Sequence, residues 1–292
     1  MADFGLDKYR EEHPMDYLKA IELINSDPYN SLVSDTIYKI TRLHIPDTVY
    51  KYFSLTDDKE LNELKFKTIE DKKIYLASPK ELNDPFESNA YFYRSERLSR
   101  YSRLKHVNGR IIDDFASFSL FSSFTSNGIN SMPMWAHYAN NHRGFCLSYD
   151  LNQEYNLSMK GCMLPVQYTD KRIDITPIME TIVSETLKKI KEAKWKENKT
   201  VLMDNMMLIW VIAYLSCLKH VSWSYEKELR VVIGRKDTRL MNAGPSAIYI
   251  GMSCTNKYIE RLKQMAKKLN IPIYKMQLEN YSLDYEFSVK QL

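Results

Sequence analysis

Chain breakers are scarce in this protein. Its 292 residues include 8 Gly and 10 Pro, too few for long flexible linkers or low-complexity tracts. Cysteine is scarce too, with Cys146, Cys162, Cys217 and Cys254 scattered along the chain. Four such residues make no disulfide scaffold at this length, and without a C-x-x-C pair they lack the spacing of a zinc finger. Long hydrophobic runs are missing. The most apolar stretch, Met206 to Leu218, has 13 residues, well short of the ~20 that span a bilayer. Neither charge dominates: 41 Lys and Arg face 37 Asp and Glu, for a net charge of +4. That balance permits an anionic partner without demanding one. The N-terminus, MADFGLDKYREEHP, is acidic and polar where a signal peptide is basic and then apolar. These features point to a protein of the reducing cytoplasm with no membrane partner.

Several catalytic signatures are also missing. The sequence has no G-x-G-x-x-G after a strand, no P-loop, no G-x-S-x-G and no H-E-x-x-H. The common dinucleotide-fold, phosphoryl-transfer, hydrolase and zincin readings lose their support.

What is present is an ordinary globular composition, 44% hydrophobic and 27% charged, with 21 Tyr. Residues 14–24 and 31–43 read as helices, and Pro46 closes a helical extension over 1–45. The rest, 46–292, reads as one α+β domain. Val49 to Phe53 is aromatic and β-branched, a strand. Thr56 caps an expected helix over 57–69. A short strand follows at Ile74 to Ala77, then a loop over 81–87 and a basic helix over 93–105. Strands are expected at 115–121, 144–150, 163–168, 227–234, 246–251, 271–277 and 284–289. Helices are expected at 131–140, 177–196, 200–219 and 256–269, the pair over 177–219 forming a two-helix insertion. Strands outnumber regular β-α alternation, so α+β is favoured over a doubly wound sheet.

The segment Trp223-Ser-Tyr-Glu-Lys-Glu-Leu-Arg-Val-Val-Ile233 carries the strongest chemical signal. On a strand, Leu229, Val231 and Ile233 share one face while Glu226, Glu228 and Arg230 share the other. Carboxylates at i and i+2 raise each other's pKa, and the guanidinium lowers both. Such a set can act as a general base, hold a ribose hydroxyl or bind a metal. It is equally a solvated strand face with a cross-strand salt bridge. Asn83-Asp84-Pro85-Phe86-Glu87 is a turn, rigid by its Asx bonds and its Pro, and polar enough to line a pocket. Trp135, His137 and Tyr138 lie on one short helix. The two aromatics suit a nucleobase or nicotinamide ring, or else the core. Ser117 and Ser119 put two hydroxyls on one strand face. The Lys-rich face from Lys188 to Lys196 is a solvated helix face or a nucleic-acid surface.

In order, Asn83-Asp84-Pro85-Phe86-Glu87, Ser117-Phe118-Ser119, Met134-Trp-Ala-His-Tyr-Ala139 through His142-Arg-Gly-Phe145, Trp223-x-x-Glu226-x-Glu228-x-Arg230 and Pro245 to Gly251 resemble the bacterial domain-of-unknown-function family 2971, over roughly residues 48–290. A weaker resemblance is to ADP-ribosyltransferases of the Arg / Ser-Thr-Ser / Glu-x-Glu type. It implies a mostly antiparallel split sandwich and NAD as the substrate. Ser117 and Ser119 then support the NAD pocket, Glu228 holds the ribose hydroxyl and Glu226 assists the acceptor. Tyr50-Lys51-Tyr52 stands where that type has Arg, and Phe118 where it has the middle Thr. Lys51 or Arg230 is left to anchor the phosphates.

The expectation is therefore an NAD-using transferase or glycohydrolase, a toxin or anti-phage effector. Its catalytic residues are Glu228 and Glu226. Lys51, Tyr52, Asn83, Asp84, Ser117, Ser119, Trp135, His137, Tyr138 and Arg230 bind the nucleotide. The acceptor is a protein or a nucleic acid, and no resident metal is expected. Two alternatives stand beside this: a non-catalytic module that binds a nucleotide or nucleic acid, and a metal-dependent nuclease using Asp84, Glu87, Glu226 and Glu228.

Overall fold

The computed structural model of the chain describes residues 45–82, 84, 86, 89–110, 119–192, 213–234 and 238–292. The helices expected at 14–24 and 31–43, most of the extension over 1–45, and Asn83, Pro85, Glu87 and Ser117 lie outside these residues. The first strands are β1 (Thr48–Phe53), β2 (Lys73–Tyr75), β3 (Tyr91–Phe92), β4 (Ser119–Thr125) and β5 (Phe145–Asp150). Then come β6 (Met163–Pro165), β7 (Gln167–Thr169), β8 (Ile173–Asp174), β9 (Leu218–His220) and β10 (Glu228–Gly234). The last are β11 (Leu240–Asn242), β12 (Ala247–Ile250), β13 (Ile273–Leu278) and β14 (Phe287–Gln291). The helices are α1 (Lys59–Glu70), α2 (Ser95–Leu98), α3 (Met132–Tyr138), α4 (Leu157–Gly161), α5 (Thr176–Glu192) and α6 (Asn256–Leu269).

Eight strands form one sheet in the order β14-β13-β12-β5-β1-β4-β10-β6. All its pairs are antiparallel except β12 with β13. The architecture is thus mixed α+β with a mostly antiparallel open sheet. β1 pairs with β5 along its whole length but meets β4 only at Tyr50↔Thr125. β4, in contrast, pairs with β10 from Glu228↔Thr125 to Gly234↔Ser119. The sheet therefore splits between β1 and β4, and backbone groups along that split need other partners.

One face of the sheet is covered by a single apolar cluster. It joins Val49, Phe124, Leu147, Leu229, Val231 and Ile248 to Phe66 and Ile69 of α1 and Leu262 and Met265 of α6. In α6 the buried positions Leu262, Met265 and Ala266 follow helical spacing, and Asn270 closes the helix in the left-handed conformation at φ 55°. The opposite face carries two separate clusters. Phe121, Leu164 and Val232 pack against Leu98 of α2 and Met179, Ile182 and Val183 of α5. Tyr52 and Cys146 pack against Met134 and Trp135 of α3. The seam between these two clusters lies over the split in the sheet.

Several elements depart from the sequence pattern. The first helix is capped by Asp58, whose Oδ1 accepts from Leu61 N at 2.9 Å, and not by Thr56. The basic stretch over 93–105 is broken into α2 and a 3-10 turn, Ser102–Val107. The expected strand over 163–168 is two strands, β6 in the main sheet and β7 paired in parallel with β9. That pairing also overturns the far end of the helix expected over 200–219, because Leu218–His220 is strand. Among the described residues β4 covers Ser119–Thr125 and so runs past the expected end at 121, while 115–118 lie outside the described residues.

Candidate functional site

β10 opens at Glu228, and the residues before it are not strand. Val221–Glu226 forms a 3-10 turn that ends with Lys227 in the left-handed conformation at φ 43°. This kink replaces the strand alternation expected for Glu226 and Glu228, yet the two carboxylates still meet. A lysine outside the motif joins them: Lys219 Nζ lies 2.6 Å from Glu226 Oε2 and 3.1 Å from Glu228 Oε2. All three side chains are buried, with the carboxylates 4% exposed. Lys219 also sits 5.0 Å from the centre of the Trp223 ring, which screens the ammonium from water.

Arg230 lies fully buried beneath them. Its Nε and Nη2 bind Glu228 Oε1 and Oε2 at 2.7 and 2.9 Å, a bidentate pair. Its Nη1 donates to Ser216 O at 2.5 Å, and its guanidinium rests 4.7 Å from the Phe121 ring. With no exposed surface, Arg230 holds Glu228 in place and is not a phosphate anchor.

The two carboxyls have opposite electrostatics. Burial and the Glu228 charge raise the pKa of Glu226, against the pull of Lys219 and Tyr138. Burial also disfavours the charge on Glu228, but Arg230, Lys219 and the Ser123 hydroxyl overcome it and hold its pKa well below the carboxylate range. The Tyr138 hydroxyl donates a short hydrogen bond to Glu226 Oε1. Burial and that carboxylate raise the tyrosine pKa, so Tyr138 stays protonated as a donor.

Lys51 enters from β1. It alternates with Tyr50 and Tyr52, leaves the strand on the face of Val49 and Phe53, and reaches across the split. Its Nζ donates to Ser122 Oγ at 2.9 Å and Ser123 O at 2.8 Å. A side-chain ammonium thus serves a carbonyl on the splayed edge of β4. The ammonium lies 5.1 Å from the Phe124 ring centre. Burial pushes the Lys51 pKa down to about 8, against the attraction of Glu228.

These groups line one pocket of about 120 Å³ at the seam, bordered by Tyr50, Lys51, Tyr52, Leu82, Ser123, Phe124, Thr125, Met134, Tyr138, Lys219, Glu226 and Glu228. The structure thereby brings together Lys51, Tyr52, Tyr138, Glu226 and Glu228. Other expected residues lie elsewhere. Ser119 sits opposite Gly234, six residues along the β4–β10 ladder from Glu228, or about 20 Å away. It is buried against Ser216 Oγ at 2.7 Å. Trp135 is fully buried; its Nε1 donates to Ile129 O at 2.7 Å, and its faces meet Tyr52 and His142. It is a core residue and offers no stacking face. His137 is exposed, 6.2 Å from the Tyr225 ring. Asp84 folds back on its own loop, with Oδ1 accepting from Phe86 N at 2.9 Å. The neighbouring Leu82 reaches the pocket, but Asp84 does not line it.

Three residues were missed by sequence reasoning. Ser123 and Thr125 carry the hydroxyls that face the pocket, because β4 runs further along the chain than its apolar pattern implied. Lys219 closes the expected helix over 200–219, directly after its apolar stretch, and its charge there was the one available signal: a lysine at the end of such a run needs a partner if it is buried.

The sequence model of one family, described as a protein of unknown function (DUF2971), matches residues 134–231. That span contains Tyr138, Lys219, Glu226, Glu228 and Arg230, while Lys51, Ser123 and Thr125 lie before it. No curated protein and no solved structure matches the chain. Among the described residues, no group of three or more His, Cys, Asp and Glu is placed to hold a metal ion.

Proposed function

We propose that the protein is an NAD-consuming enzyme, an ADP-ribosyltransferase or NAD glycohydrolase, working in the pocket at the β1–β4 split. The observation that carries this reading is the carboxylate pair bridged by Lys219, with one pKa pushed up and the other down. Paired acids driven apart in this way divide acid–base labour. Glu228, always ionised, faces the positive charge that develops on the ribosyl ring as the bond from C1′ to the nicotinamide nitrogen breaks. The bonding electrons leave with nicotinamide and neutralise its ring. Water or an acceptor hydroxyl or amine then attacks C1′; Glu226, its pKa raised, takes the acceptor's proton, whereas attacking water passes its proton to solvent. Tyr138 orients Glu226. The Lys219 bond to Glu228 Oε2, at 3.1 Å longer than the two Arg230 bonds to that carboxylate, is the one the ribose hydroxyl replaces. Lys51 supplies positive charge for the pyrophosphate. The pocket takes the reacting ring, and the remaining nucleotide lies across its mouth.

A second reading, a nucleotide-binding module without chemistry, is favoured by one observation. Both oxygens of each carboxylate already have partners, as in a structural ion-pair network. Calorimetry with NAD, combined with chromatographic assay of nicotinamide, separates the two. Binding with nicotinamide release supports the enzyme; binding without release supports the module; absence of both removes NAD from the account.

A further inference from the structure

A second surface, remote from the Glu226–Glu228 pair in the chain, carries a net positive excess larger than that of the whole molecule. Residues 89–110 and 171–191 together hold eleven Lys and Arg but four Asp and Glu, while the whole chain is only +4. Without these two stretches the protein is net acidic. They are far apart in sequence but packed as one body. β3 pairs in parallel with β8, and Tyr91, Leu98, Ile173, Met179 and Val183 share one apolar cluster. That core takes up the apolar faces of both segments and leaves nearly all their Lys and Arg exposed.

Part of this charge is internally spent. Arg94 pairs with Asp174, and Arg97 and Arg100 both reach Glu180. These arginines still keep half or more of their side-chain surface exposed. Arg103, Lys105, Arg110 and Lys171 are exposed and form no ion pair with another described residue. A concave site of about 220 Å³ opens on this surface, lined by Asn89, Tyr91, Phe92, Tyr93, Arg110 and Arg172 among others. Phe92 is 37% exposed there. Arg172 is fixed by donating to the carbonyls of Tyr91 and, at 2.9 Å, Asn89.

We propose that this surface binds single-stranded nucleic acid. Arg and Lys in clear excess over the neighbouring acids attract a polyanion. The interleaved exposed ring and the hollow beside two guanidiniums suit an unstacked base and its phosphate, which a duplex does not present. Together with the reading of the Glu226–Glu228 pocket, this makes the acceptor or regulator a single-stranded nucleic acid. The binding claim itself does not depend on NAD turnover.

The test is fluorescence anisotropy with a labelled single-stranded RNA and DNA of about 20 nucleotides and the matching duplex, across a salt series. The single strands are expected to bind more tightly than the duplex, with log affinity falling linearly with log salt. Arg103→Glu with Lys105→Glu should lower affinity and flatten the salt slope, and Phe92→Ala should weaken single-strand binding about tenfold. Both changes are at exposed positions, and unchanged melting temperatures confirm folding. No binding at low salt, or binding untouched by all three substitutions, overturns the proposal; so does a preference for the duplex. Oligonucleotide binding by a protein that releases no nicotinamide overturns only the NAD reading.

Discussion

Lys219→Met keeps the apolar stem of the side chain and removes the ammonium that lies between the two carboxylates. Glu228 keeps its bidentate bond to Arg230 and remains ionised. Glu226 keeps only Tyr138, in a buried setting that already raises its pKa. Removing one partner of a buried ion pair costs about 3–5 kcal/mol, but Glu226 can escape part of this by taking up a proton. The expected loss is about 3 kcal/mol near neutral pH, equivalent to a fall of roughly 6–10 °C in Tm. Its pH dependence has a definite sign. A carboxyl whose folded pKa exceeds its unfolded value binds more protons in the native state between those two values, so stability falls as pH rises through that window. The variant should therefore be closest to wild type near pH 5 and furthest from it near pH 8. Urea unfolding at both pH values measures this. A variant as stable as wild type at the higher pH, with an unchanged pH slope, would refute the claim that Lys219 neutralises the pair.

Other expectations follow from the same geometry. Lys51 titrates near 8, so affinity for an anionic nucleotide such as ADP-ribose should fall as pH rises past that value. Calorimetry on Lys51→Met should show weaker binding with the pH dependence gone. Trp135→Ala should cost about 3–5 kcal/mol through the cavity it leaves in the core. Trp135→Phe should remain folded and bind nucleotide as wild type does, whereas a selective loss of affinity would restore Trp135 as a stacking residue. Glu226→Gln should impair transfer to an acceptor more than hydrolysis of NAD, read by comparing modified acceptor with released nicotinamide.

Much of the site was legible because local chemistry and strand periodicity agreed. β1, β5, β10, β12 and α6 lie close to where their patterns place them, and Leu229 and Val231 face the core. The carboxylates of Glu226 and Glu228 were recognisable as a pair from their spacing, although a left-handed Lys227 creates their proximity where a continuous strand was expected. Long-range geometry was not legible. Nothing in Ser119 says that it lies at the far end of the ladder, because register is set by its partner strand β10. Trp135 carries the same aromatic surface whether it stacks on a ligand or on Tyr52. Its contacts with Tyr52 and His142 arise from the way the chain turns through Asn140, Asn141 and His142, all at positive φ. Lys219 was hidden because it closes an apolar run, and its partners lie on the following turn and strand. The split between β1 and β4 has no local signature at all; it depends on one cross-strand pair, Tyr50 with Thr125.

The most direct test of the central claim is the rate of nicotinamide release from NAD by wild type and Glu228→Gln, with matched melting curves for both proteins. Glutamine preserves the shape of the side chain and removes the charge that faces the ribosyl cation. Turnover should fall about a hundredfold or more while NAD affinity stays nearly constant. A folded Glu228→Gln protein that releases nicotinamide at the wild-type rate would contradict the account.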